Sequence, residues 1–323
     1  MLQVITQNNI NKNAWDIAEL VKNLTWVTQL LDQPGKVEIE LVKDDSVYLP
    51  EGSPITIKFK NDNVFFGYLF TKKIQSDLVT LICYDQTRYL KNKDTYVLGS
   101  MTSSQVFTKL ATDFNLKSRV VNSSSFLCAA KVYDNKSLYE IIQDTLDQTL
   151  TYSGEWFIVY DRFGTLEFTH LNSLKTNLFI GDESLLTNYD YQTSIDDDVY
   201  NQVKLIQENK ETKKRDVYLV KSSQNINRWG LLQYFEKMDE NANAAQIKQR
   251  ADQILQLKNR PKKTLSLDCI GDLRVRAGTG IVLGLNDLKN EGLTNPAYYI
   301  VTSCTHKFSG DQHTMELELQ VSI

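Results

Sequence analysis

Along much of this chain apolar and polar residues alternate with a period of two, which puts the apolar set on one face of a pleated strand. After the Pro34-Gly35 turn, Val37, Ile39 and Leu41 alternate with Glu38 and Glu40. The pattern returns in Ile55, Ile57 and Phe59, in the run Val64 to Phe70 after Asn61-Asp62-Asn63, and in Leu78, Thr80 and Ile82 after Ser76-Asp77. Strands this closely spaced, joined by short polar turns, predict half-buried antiparallel sheet in a small barrel or sandwich over residues 1–98.

The period changes near Ser100. Ser103 is placed to cap a helix with Val106, Phe107, Leu110, Ala111 and Phe114 on one side. Ser137 followed by Glu140 is a capping-box pattern for a second helix, striped by Leu138, Ile141, Ile142, Thr145 and Leu146. The runs Trp156 to Tyr160 and Thr165 to Thr169 then flank an Asp161-Arg162-Phe163-Gly164 turn, so residues 99–172 read as a small α+β unit. Strand signal fills 173–323, interrupted by a helical insertion at about 240–260 in which Ala244, Ile247, Ala251, Ile254 and Leu255 share a face ahead of Pro261. The last strand alternates most cleanly, with His313, Met315, Leu317, Leu319 and Val321 against Thr314, Glu316, Glu318 and Gln320. The fold class expected is α+β, mainly β.

Composition agrees with several folded domains, because 323 residues exceed what one core usually serves and 41% are hydrophobic. A net charge of −4 with mixed signs lacks the basic surface that phosphate backbones select, so no nucleic-acid sequence recognition is expected. The run Lys210 to Arg215 reads as a solvated hairpin turn. Cys83, Cys128, Cys269 and Cys304 form no CxxC pair and read as reduced, buried thiols. The first residues lack a secretory pattern and no run of ~18 apolar residues follows, so synthesis and assembly in the cytoplasm without membrane insertion are expected.

Candidates for chemistry are few. His170, His306 and His313 are the only histidines, and His306 and His313 flank the Ser309-Gly310-Asp311 turn, where hairpin pairing would bring them together. That geometry suits either a metal site, which would still need carboxylate ligands, or two satisfied sheet histidines. Gly278, Gly280 and Gly284 have the wrong spacing for a dinucleotide loop and read as hairpin glycines. Asp196, Asp197 and Asp198 read as a solvated loop. No nucleophile elbow, HExxH helix or phosphate loop is present. No catalytic residue, cofactor or enzymatic activity is expected.

Five stretches, in order, carry a resemblance: Tyr84 to Tyr96, Ser137 to Gly164, Ser194 to Leu205, Asn227 to Asn243 and Thr305 to Leu319. They resemble the baseplate hub proteins of contractile phage tails and phage-tail-like particles, the XkdQ/YqbQ type of PBSX-like prophages and R-type bacteriocins. The resemblance implies two tail-tube-like β-barrel domains separated by the small α+β domain. It also implies a homotrimer whose pseudo-sixfold ring adapts a hexameric tail tube to a trimeric central spike, with LysM-type tail protein and baseplate wedge proteins as further neighbours in the particle. Under that reading Thr314, Glu316, Glu318 and Gln320 are lumen or interface candidates, plain solvent exposure being the alternative. Trp229 beside Gly230 either packs a tight turn or anchors a partner. A cell-wall hydrolase or carbohydrate-binding tail component is the competing function.

Overall fold

The computed structural model describes residues 1–30, 33–209, 214–238, 243–291, 293 and 296–320. It divides into two compact units, one made of residues 1–189 with the segment from Ser266 onward, the other of Asp190–Leu265.

The first unit is built on a long antiparallel ladder. Its strands run Ala14–Asp16, Leu2–Gln7, Pro54–Phe59, Asp62–Ile74, Leu78–Tyr84, Lys36–Val42, Val21–Gln29, Ala297–Ser309 and Gln312–Gln320 in spatial order. Among the described residues this pairing is an open path. The predicted alternation sets the buried face: Val37, Ile39, Leu41, Ile55, Ile57 and Phe59 form one core with Phe65 and Leu69. One strand faces opposite to expectation. Leu81 and Cys83 are buried, while Leu78, Thr80 and Ile82 are only partly covered. Register decides this, because Leu81 lies opposite Ile39 and Cys83 opposite Val37. In a run apolar on both faces, periodicity leaves the choice open.

Two helices pack in the same unit, α1 (Ser103–Asp113) and α2 (Leu138–Ser153). The cap of α1 is Thr102, one residue before the expected Ser103, and it forms a capping box with Gln105. Ser103 instead donates its hydroxyl to Ser124 at 2.8 Å. The Ser137–Glu140 box on α2 is as predicted. Val106, Phe107, Leu110, Ile141 and Ile142 then close a core with Phe157, Leu166 and Phe168 of the following hairpin. All four cysteines are free and buried.

The second unit has a three-stranded sheet, ordered Lys214–Lys221, Gln202–Asn209, Gln233–Lys237. It also holds α3 (Ser223–Trp229) and α4 (Ala244–Lys258), the helix expected near 240–260. Ile247 and Ala251 of α4 bury against Val203 and Leu205, while Ala244 stays exposed in the first turn. Asp197 and Asp198 are solvated and pair with Lys262 and Lys258. Of the basic run, residues 210–213 lie outside the described residues, as does Val321; the strands flanking the run pair antiparallel. No described helix is long and apolar enough to cross a membrane.

Candidate functional site

The C-terminal hairpin brings His306 and His313 together. Its register sets Phe308 opposite His313 and Met315 opposite His306, so the rings meet on the diagonal, with His306 Nδ1 2.9 Å from His313 Nε2. His306 Nε2 sits 2.8 Å from the Val275 carbonyl, which makes it the protonated nitrogen; Nδ1 then accepts from His313 Nε2–H. Trp26 stacks on His306 and Phe308 on His313. Burial in this aromatic cluster pulls both imidazoles down to about 4, so both are neutral at pH 7. Both nitrogens of His306 are therefore engaged in hydrogen bonds. Among the described residues no group of three His, Cys, Asp or Glu side chains converges to hold a metal.

A second cluster was not foreseen. The Tyr84-Asp85-Gln86 and Tyr160-Asp161 segments, far apart in sequence, meet at Arg276. Asp85 is 3% exposed and accepts from the Thr87 backbone N–H at 2.9 Å and from the Thr87 hydroxyl. Asp161 is 6% exposed and accepts from the Gly164 N–H at 2.8 Å, while the Gln86 side chain donates to the Gly164 carbonyl. Arg276 Nη1 donates to the Asp161 carbonyl at 2.7 Å, with its guanidinium 4.1 Å from the Tyr160 ring centroid. The Tyr160 hydroxyl in turn donates to Glu167 at 2.8 Å, and Glu167 pairs with Arg119.

Desolvation raises both carboxyls, Asp85 to about 6 and Asp161 to about 7, the latter also through the charge of Asp85; Arg276 offsets part of the rise in each. Asp161 Oδ2 and Arg276 Nε are enclosed and have no hydrogen-bond partner among the described residues. They border a cavity of about 520 Å³ that Trp26, Arg162, Lys175 and Arg274 also line. Two hydrogen bonds tie the segments together: the Gln86 side chain holds the Asp161–Gly164 turn to the segment after Tyr84, and Arg276 holds the Asp161 backbone carbonyl, with the two carboxyls buried beside them. Tyr-Asp occurs four times in the sequence, at Tyr84, Tyr133, Tyr160 and Tyr189, and spacing gives no reason to pair the first with the third or to select Arg276.

The remaining candidates lie elsewhere. Thr314, Glu316 and Glu318 are exposed and Gln320 is partly covered, on the face opposite buried Met315, Leu317 and Leu319. Glu316 pairs with Lys307, and the polar face continues through Thr305 and Ser303 to Thr25 and Gln29. Trp229 ends α3 in the second unit, half-buried, with Arg228 over its ring at 6.0 Å and Gly230 following at φ +81°.

Comparison with known proteins agrees with the five sequence blocks. The chain is 27% identical to the phage-like element PBSX protein XkdQ of Bacillus subtilis strain 168, over 88% of each chain. In fold it is similar to the 43 kDa tail protein of prophage MuSo2 from Shewanella oneidensis, with TM-score 0.70, 11% identity and 98% of both chains covered. It is also similar to the E. coli c3393 protein, with TM-score 0.57, 11% identity, 94% of this chain and 74% of that one covered. That protein is described as a component of the type VI secretion system with structural similarity to the T4 bacteriophage tail proteins gp27 and gp5. Since the YQBQ-like family matches over residues 24–320, nearly the whole length, the chain belongs to the YQBQ-like family, and its fold is that of phage tail proteins.

Proposed function

We propose that this chain is a structural, non-catalytic baseplate hub of a contractile tail, in a phage or a phage-tail-like bacteriocin. Three copies form a pseudo-sixfold ring that joins the hexameric tail tube to the trimeric central spike. One observation carries the reading. Strands from the two ends of the sequence fuse edge to edge, with Ser303 to Phe308 laddered against Gln29 to Leu24. In this reading the two halves of that sheet are two β lobes of one chain, and three such chains supply six lobes, the number a sixfold tube requires. In this reading residues 1–98 and 173–323 are the two tube-like barrel domains and 99–172 the α+β domain between them.

The polar face of Thr314, Glu316, Glu318 and Gln320 then faces the lumen or a neighbouring subunit, continuous across the fused edge. The tube protein, the spike, a LysM-type tail protein and wedge proteins are its neighbours in the particle. The likeness to a protein described as similar to gp27 and gp5 supports the same reading. Reconstruction of purified particles by electron cryomicroscopy tests it. Three copies in one ring between tube and spike are expected; sixfold rings of this chain stacked along the tube, or its absence from particles, would overturn it.

A further inference from the structure

Among the described residues of the Asp190–Leu265 unit, the three-stranded sheet packs a helix on one face only. Tyr218, Val220, Val203, Leu205 and Tyr234 pack toward α4. The other face carries, row by row across the strands, Lys221–Gln202–Gln233, Leu219–Lys204–Phe235 and Val217–Ile206–Lys237, with Arg215 opposite Glu208 at the end. The sheet is mixed, Gln233–Lys237 running parallel to the central strand, and a solvated sheet face is normally polar. Here the edge-strand side chains are exposed, Val217 at 56%, Leu219 at 50% and Phe235 at 55%, while Ile206 of the central strand is 8% exposed between them. The sequence points the same way, because Val217-Tyr218-Leu219-Val220 is an unbroken apolar run, the pattern of a strand covered on both sides.

The charge around these side chains says what covers them. The face holds four cations, Lys204, Arg215, Lys221 and Lys237, against the single carboxylate of Glu208, in a chain whose net charge is −4. Glu208 is already shared by Lys237 at 3.0 Å and Arg215 at 3.6 Å. Lys204, set between Leu219 and Phe235, and Lys221 have no ion-pair partner among the described residues. Two copies of this face would repel each other, whereas carboxylates flanking apolar side chains would meet both of its features.

We propose that this face docks an extended acidic segment of another protein, in which apolar side chains alternate with or are flanked by carboxylates. Leu219, Val217 and Phe235 receive the apolar groups, and Lys204 and Lys221 receive the carboxylates. The test uses the full chain and fluorescein-labelled synthetic peptides of alternating leucine and glutamate, or leucine and lysine, read by fluorescence anisotropy. The glutamate peptide is expected to bind with an affinity that falls as salt rises, and the lysine peptide not to bind. Lys204→Glu and Leu219→Thr are each expected to weaken binding about tenfold. Both replace part-exposed side chains in strands, so thermal unfolding is measured alongside and is expected to be unchanged. Binding of neither peptide, equal binding of both, or indifference to Lys204→Glu in a folded variant would overturn the proposal. So would sedimentation showing that the chain associates with itself through this face and that Leu219→Thr abolishes the association.

Discussion

At the scale of single residues, two buried ionisable clusters give stability opposite dependences on pH. The folded-state pKa of His306 and of His313 is depressed to about 4, so their contribution is full above the ordinary histidine value and is lost as pH falls from about 6.5 toward 4. The groups facing them are Asp272, Arg276 and Lys60. Asp85 and Asp161 are raised, so their contribution is full below the ordinary carboxylate range and is lost as pH climbs through about 6 and 7. The two windows overlap between about pH 4 and 6.5, so their opposite slopes offset each other there, and substitution at one cluster exposes the slope of the other in thermal unfolding followed against pH. His306→Gln should flatten the histidine slope, worth on the order of 2 kcal/mol at the buried imidazole. Asp161→Asn should remove the loss of stability that this carboxyl causes as pH rises from about 4 to about 7, because it removes one of two buried like charges. Arg276→Met, which removes the hydrogen bond to the Asp161 carbonyl and the charge that offsets both carboxyls, is expected to destabilise by about 1–3 kcal/mol at pH 8 and by less at pH 5, where the carboxyls are protonated. The histidine pairing was legible in sequence because a hairpin turn links the two residues. The cluster of Asp85, Asp161 and Arg276 was not, since its members are brought together only by long-range packing.

At the scale of elements, local signals were read well where the chain satisfies its own backbone. The capping box at Ser137 and Glu140 and the stop of α4 before Pro261 need only neighbouring residues. Thr102 took the cap expected of Ser103 because Ser103 and Ser104 are drawn into hydrogen bonds with Ser124, a partner twenty residues away. Strand Leu78–Tyr84 turned its other face inward for a similar reason, its neighbour across the ladder deciding which side is covered. The Asp161–Gly164 turn makes a sharper case. Gly164 has φ +85°, and an added Cβ would lie 2.7 Å from Phe66. Gly164→Ala is expected to lower stability by about 2 kcal/mol or more, measured by denaturant titration, since backbone strain and the clash act together.

At the scale of the molecule, the chain holds two units whose cores are built separately. Ile247→Ala empties part of the core that α4 shares with Val203 and Leu205, and a change of that kind costs about 2–5 kcal/mol. Hydrogen exchange should accelerate across Asp190–Leu265 while amides of Lys36–Val42 keep their protection; uniform acceleration would mean the units unfold as one. By itself the sequence determined the mainly β class, the positions of the principal helices, the burial of the cysteines and the family, because periodicity, caps and ordered motif blocks are local properties of the chain. Only the tertiary structure decided that the first strands and the last share one ladder, that two Tyr-Asp segments close on Arg276, and that one face of the second sheet carries exposed Val217, Leu219 and Phe235 among cations. Each of these depends on which distant residues become neighbours, and a period along the chain sets the face of an element but not its partner.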